Sequence, residues 1–268
     1  MLLDYVKKLE YKFELERLNA LKQILQSKKM HYIEQKYKYM ASHGTNIIID
    51  IGKSKKHIIL SAHHDVVYHS PGANDDASGV AILIDVIDKL RKLKLNNKVR
   101  IIFFDDEESG RFGSMSYIAE YGIQDLLGVY HLELCGSGDI VGLWPISKWN
   151  KESSVLKAIE EVLKEKNIFC EELGQLPAFY GDDLSFRAVG FANAVCISVA
   201  TSEDRESIKK FVNKTFFRIA LDFFAGRLPK LFQRYHSKED KSEYLSEGTL
   251  RMMSEVMIDA VKKMDKSK

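Results

Sequence analysis

The stretch "HIILSAHHDVVYHSPGANDDASGVAILIDVIDKLRKLKLNNKVRIIFFDDEES", residues 57–109, decides how this chain folds. It opens on the apolar run "HIILSA" (His57 to Ala62) and closes on "VRIIFF" (Val99 to Phe104). Between them, "ASGVAILIDVIDKLRKL" places Val80, Leu83, Ile84, Ile87 and Leu90 on one helical face. Strand, helix and strand in that order, with both strands mostly apolar, predict a layered α/β sheet covered by helices on both faces.

The same alternation continues outward. "NIIIDI" (Asn46 to Ile51) reads as a strand, and the "GKSKK" that follows it reads as a basic hairpin turn into "HIILSA". "GVYHLEL" (Gly128 to Leu134) and "ANAVCISV" read as further strands. Helices are expected at about Ser153 to Lys166 and Glu247 to Lys263. Residues 1–43 interleave Leu, Ile, Tyr and Phe with Lys and Glu, and read as a leading helical segment. With four prolines and no Gly/Ser-rich tract, no linker marks a second domain, so residues 1–268 are expected to form one domain. The loop from Cys135 to Asn150 is a candidate flap. The expected architecture is therefore a three-layer α/β/α sandwich with a central mixed, mostly parallel sheet.

Composition narrows the function classes. Of 268 residues, 45% are hydrophobic and 29% charged, as in ordinary globular proteins. Forty basic against 38 acidic side chains leave a net charge of +2, which argues against nucleic acid or an anionic membrane as partner. The start "MLLDYVKKLEYKFELERLNALKQ" lacks the apolar core of a signal peptide, and no segment is apolar enough to span a bilayer. Cys135, Cys170 and Cys196 form no CxxC pair, so neither a disulfide framework nor a thiolate zinc site is indicated. These features together predict a cytoplasmic protein.

Polar residues gather where the strands end. "HIILSA" runs into His63, His64 and Asp65, "VRIIFF" runs into Asp105, Asp106, Glu107 and Glu108, and "GVYHLEL" carries Glu133 near its end. "PGANDDASGV" delivers Asn74, Asp75 and Asp76 to the start of a helix, where Asp76 alone would read as a helix N-cap. In open α/β sheets the carboxyl ends of strands converge on one crevice. Carboxylates gathered there repel one another unless cations neutralise them, which points to a metal centre, and with this many acids to two ions.

The motifs "AHHDVV", "PGANDDASGVA", "FFDDEESGRFGS", "YHLEL" and "YHSKEDKSEYLSEGTL" resemble, in order and spacing, those of the co-catalytic dizinc aminopeptidase family, in the clan of glutamate carboxypeptidase II and the glutaminyl cyclases. The resemblance runs from about residue 45 to the end and implies the zinc-exopeptidase form of the sandwich. It implies His63 as a metal ligand oriented by Asp65, Asp75 as the bridging carboxylate, Glu107 as general base and Glu108 as a ligand of the first metal. Glu133 takes the place of a second-metal ligand and His236 supplies the last imidazole. Two zinc ions are implied, with cobalt or manganese as acceptable substitutes for an oxygen and nitrogen donor set. His64 sits at the unspecified middle position, and Asp105 and Asp106 have no family role beyond supporting their loop.

The implied reaction is hydrolysis of the N-terminal peptide bond of a small peptide or amino-acyl substrate, by a water bridging two zinc ions. "FYGDDLSFRAVGFANAV" resembles a family segment with a serine-aspartate pair ahead of a buried strand; Asp182 aligns with that aspartate and is a candidate to bind the substrate amine, and Tyr180 is a candidate hydrogen-bond donor to the oxyanion. Both are equally readable as ordinary loop residues, and Trp144 and Trp149 as crevice lining or as core. One departure stands out: the family's usual residue at position 133 is Asp. Glu there is found among carboxypeptidase-like and deacylating relatives, which form the alternative reading. About 100 residues between Glu133 and His236 leave little room for the dimerisation domain of two-domain carboxypeptidases. Retention of both His63 and His236 argues against a glutaminyl cyclase, and retention of all six positions against a non-catalytic relative. The oligomeric state is not legible.

Overall fold

The computed structural model describes residues 1–39, 42–173 and 181–266. In chain order the helices and strands are α1 (Leu2–Leu9), α2 (Glu14–Ser27), β1 (Ile33–Tyr39), β2 (Ser42–Ile51), β3 (His57–His63), α3 (Ser78–Leu90), β4 (Lys98–Phe104), α4 (Phe112–Tyr121) and β5 (Leu126–Leu132). They continue as β6 (Ile140–Trp144), α5 (Ser154–Glu165), β7 (Phe169–Glu172), α6 (Asp183–Ala188), β8 (Ala194–Ala200), α7 (Arg205–Val212), α8 (Phe216–Phe224), α9 (Lys230–Gln233) and α10 (Glu247–Lys266). The eight strands form one sheet in the order β1-β2-β4-β3-β5-β8-β6-β7. β4, β3, β5 and β8 run parallel, β2 and β6 run against them, and β7 follows β6. The expected mixed, mostly parallel sheet flanked by helices is thus the observed fold.

β3 is buried along its whole length, because helices cover both faces and neighbours pair both edges. Ile58, Leu60, Ala62, Ile101 and Phe103 face a core shared with α1, α3, α5 and α10. Ile59, Ile102, Phe104 and Val129 face a smaller core with Tyr117 of α4 and Phe186 of α6. α3 is buried nearly all round rather than on one face, because α1 and α10 pack over its outer side. Leu83→Ala in this helix is expected to cost about 3 kcal/mol, from lost transfer energy and the cavity left behind. Urea denaturation of the metal-free chain measures it.

Three expectations are corrected. The leading helical segment does not reach residue 43: helix ends at Ser27 and the chain turns into β1 and β2. Ile33, Gln35, Tyr37 and Tyr39 alternate with Glu34, Lys36 and Lys38, a period of two that the Lys and Glu content masks as helical. Charged side chains suit β1 as an edge strand. "GKSKK" is no hairpin, since β4 inserts between β2 and β3. The candidate flap contains β6, with Trp144 buried at 3% exposure and its Nε1 donating to Ser198 Oγ, whereas Trp149 is 78% exposed. Trp144 is core.

Candidate metal centre

The parallel strands β3, β4 and β5 all end on one side of the sheet, and the polar residues follow their last apolar positions. His63 closes β3, the turn Asp105–Glu108 leaves β4, and Glu133 follows β5. The loop from β3 to α3 returns Asp75 to the same place, through a cis Asp75–Asp76 peptide. His236 arrives from the far end of the chain, after α9.

Asp75 stands at the middle. Its Oδ1 lies 3.1 Å from His63 Nε2 and its Oδ2 lies 3.4 Å from His236 Nε2. His236 Nε2 also lies 2.8 Å from Glu108 Oε2. Donor atoms of His63, Asp75 and Glu108 fall within 4.8 Å of one another, as do those of His63, Glu107 and Glu133. The closest pairing sets Glu108 beside His236, while His63 lies within reach of both Glu108 and Glu133. Asp65 lies beside the other imidazole nitrogen, with Oδ1 3.3 Å from His63 Nδ1, and its Oδ2 accepts the Glu108 amide at 3.1 Å.

Burial dominates the electrostatics. It pushes Glu108 and Glu133 each up to about 7, Asp182 up to about 6, and Glu107 well above the usual carboxylate range. Repulsion from Glu133 adds to the effect at Glu107, and repulsion from Asp75 to that at Glu108. Burial would raise Asp75 as well, yet its hydrogen bonds with His236 and His63 hold it below its ordinary value. Burial would lower His236, yet the same carboxylates carry it up to about 10. Among the described residues Glu108 Oε1 has no hydrogen-bond partner, and Asp75 Oδ2 has none beyond the His236 imidazole at 3.4 Å. Buried oxygens left this way are costly unless a cation takes them. Nitrogen and oxygen donors with no thiolate in these two groups fit zinc, cobalt or manganese.

The remaining sequence candidates fall into place. Asp105 accepts the Thr45 amide, and Asp106 accepts the hydroxyls of Tyr37 and Ser42, so both brace the loop as expected. Asp76 accepts the amides of His63 and Gly79, capping the start of α3 while fixing β3's last residue. His64 turns away and bonds the Thr45 carbonyl. Asp182 is fully buried, its charge acts on Glu107, and Ser114 is the one described hydroxyl that eases its carboxylate. Tyr180 lies outside the described residues.

Two supporting residues escaped the sequence reading. Asp240 accepts the amides of Asn74 at 2.8 Å and Asp75 at 3.1 Å, fixing the loop that presents the central carboxylate. Arg17 of α2 is fully buried, donates to the Gly72 carbonyl at 2.9 Å, and places its charge near Asp75 and Asp240. An arginine in an amphipathic helix ordinarily reads as solvated, and nothing in its local sequence marks it as buried. For Asp240 the only clue was its closeness to His236 in "YHSKED".

The chain is similar to known aminopeptidases and to a glutaminyl cyclase. Aminopeptidase Y of Saccharomyces cerevisiae is 43% identical over 74 residues, 27% of this chain and 14% of that protein. A zinc aminopeptidase of Bacillus subtilis superposes with a TM-score of 0.66 at 18% identity, over 86% of this chain and 52% of that one. A glutaminyl cyclase of Porphyromonas gingivalis superposes with a TM-score of 0.73 at 16% identity, over 98% and 96%. The chain spans about half or less of the first two relatives. Residues 46–261, which hold every residue of the centre, match the sequence profile of peptidase family M28, and the chain belongs to that family.

Proposed function

We propose that this chain is a zinc-dependent aminopeptidase that hydrolyses the N-terminal peptide bond of small peptides, within one catalytic domain carried by the continuous sheet. The observation that carries the reading is the Asp75 carboxylate, with one oxygen toward His63 and the other toward His236. In this reading His63, Asp75 and Glu133 hold one ion, and Asp75, Glu108 and His236 hold the other. Such a pair of ions supplies a water of lowered pKa and polarises the scissile carbonyl.

The chain's own residues do the rest. Asp65 fixes the ring of His63 so that Nε2 faces Asp75, and its bond to the Glu108 amide ties the ends of β3 and β4 together. Glu107, buried beside His63 and Glu133, takes a proton from the attacking water and hands it to the leaving amine. Asp182 holds the substrate's free amine, a role supported by its buried carboxylate close enough to act on Glu107. Cobalt or manganese can replace zinc on this donor set. Three free cysteines suit a cytoplasmic setting, and no described helix is long and apolar enough to cross a membrane.

The test is a substrate panel read together with zinc content. The zinc-loaded chain is expected to cleave amino-acyl anilides with a free amine, to leave their N-acetylated forms untouched, and to lose all activity on chelation. Equal turnover of the blocked substrates would transfer the reading to a carboxypeptidase or deacylase, which Glu133 favours. Cyclisation of glutaminyl peptides without hydrolysis would transfer it to a glutaminyl cyclase.

A further inference from the structure

The departure at position 133 has a partner in the strand below it. His131 lies in β5 and Glu133 one residue past its end, where the Glu133 amide still pairs with the Ile197 carbonyl of β8, so both side chains leave the same face. His131 Nε2 lies 3.1 Å from Glu133 Oε2, and His131 Nδ1 lies 3.1 Å from Ser61 Oγ of β3. In the parallel register Ser61 stands opposite His131, and His131 opposite Cys196 of β8. These three form one row across the sheet, directly beneath His63 and Glu133. The next row down, Ile59, Val129 and Ala194, is wholly apolar. All three residues of the polar row are buried.

The hydrogen-bond directions follow from the donor inventory. An ionised Glu133 only accepts, so Nε2 of His131 carries the proton and donates. Its Nδ1 is then the acceptor, and the Ser61 hydroxyl donates to it. The ring is also clamped from above. A Cβ on Gly181 would sit 2.4 Å from His131 Cδ2, 2.8 Å from Nε2 and 3.0 Å from Glu133 Oε2, so only glycine lets the chain close over this pair.

We propose that His131, set by Ser61, is a positioning residue that holds one oxygen of Glu133 and so leaves the other for the ion on the His63 side of the centre. A glutamate has one more rotatable bond than the family's usual aspartate, and the imidazole removes that added freedom. The longer side chain and the histidine two positions before it then form one device. The inference rests on the dizinc reading. Donor atoms of His131, Glu133 and Cys196 also fall within 4.8 Å of one another, which raises a separate cation site. Both imidazole nitrogens are already taken, so the ring has no lone pair to offer one.

The experiment is a zinc titration against a competing chelator, repeated with cobalt so that each ion's absorption reports its geometry. It compares the wild-type chain with His131→Leu, His131→Gln and Ser61→Ala, with folding checked by circular dichroism. Two equivalents are expected in wild type. His131→Leu should bind one of them about 10- to 100-fold more weakly, with a changed cobalt spectrum, while the other equivalent is unaffected. His131→Gln, whose amide N–H takes the place of the Nε2 proton, should restore most of the loss, and Ser61→Ala should fall between. Unchanged affinity in both His131→Leu and Ser61→Ala overturns the positioning role and leaves the dizinc reading standing. If His131→Leu does not fold, unchanged affinity in Ser61→Ala overturns it alone. A third equivalent in wild type that His131→Leu removes also overturns it, in favour of a ligand role. Wild type that takes up no zinc sinks the dizinc reading and this inference with it.

Discussion

Glu107→Gln is expected to lower kcat by about a thousandfold, with zinc content unchanged, as loss of a general base does elsewhere. That factor corresponds to about 4 kcal/mol of transition-state stabilisation. Glutamine keeps the volume and one acceptor but cannot hold the proton, so the substitution separates proton transfer from packing. Glu107 is buried, and both burial and the Glu133 charge disfavour its ionised form when no cation is present. Removing that carboxyl should therefore raise the thermal stability of the metal-free chain while abolishing turnover of the loaded one. The two changes have opposite sign, which a merely destabilising substitution does not produce. A loaded Glu107→Gln variant that turns over at the wild-type rate would falsify the assignment of the base.

Asp75→Asn acts on binding instead. Asp75 is the carboxylate whose two oxygens face different imidazoles, so a neutral amide there should weaken both ions together, and activity should fall by about a thousandfold or more at limiting zinc. In the metal-free chain the same change leaves His63 and His236 each without one of the two carboxylates that hold it above its ordinary value, and the buried Arg17 without one of its counter-charges. Metal-free stability should drop, because breaking a buried charge pair costs more than the pair itself contributes. Zinc stoichiometry, measured after gel filtration, checks the reading. Retention of two tightly bound ions shows that Asp75 does not bridge. Loss of one ion alone shows that its two oxygens serve a single site. Glu107→Gln and Asp75→Asn together distinguish a chain that binds metal without turning over from one that does neither.

Much of this site was legible before any coordinates, for a chemical reason. Metal ligation needs particular donor atoms at the ends of strands, and the local sequence places both: "AHHD" after one apolar run, "DDEE" after another, and "HLEL" completing a third. Asp105 and Asp106 were separable from Glu107 and Glu108 only through the resemblance, since four adjacent carboxylates carry no internal label. The structure gives the reason for the division: Asp105 and Asp106 point back to β1 and β2, where Thr45, Tyr37 and Ser42 meet them.

Strand pairing was not legible. Whether β3 neighbours β2 or β4 depends on which edges remain open once the whole sheet assembles, and that is a property of all eight strands together. The extent of β1 was lost for a related reason, because an edge strand with lysines on alternate positions has the composition of a helix. The long-range supports were hidden too. Arg17 and Asp240 lie 223 residues apart in sequence and meet at the loop that carries Asp75.

By itself, then, the sequence determined the α/β class, the flanking helices α3, α5 and α10, and the residue types that cluster at the strand ends. These follow from periodicity and donor chemistry, which are local. Only the tertiary structure decided that Glu108 stands beside His236 and that His63 comes within reach of both Glu108 and Glu133. It also decided that Ser61 and His131 line up beneath His63 and Glu133. Register across parallel strands brings residues 70 positions apart to within hydrogen-bond distance, and no local pattern encodes that distance.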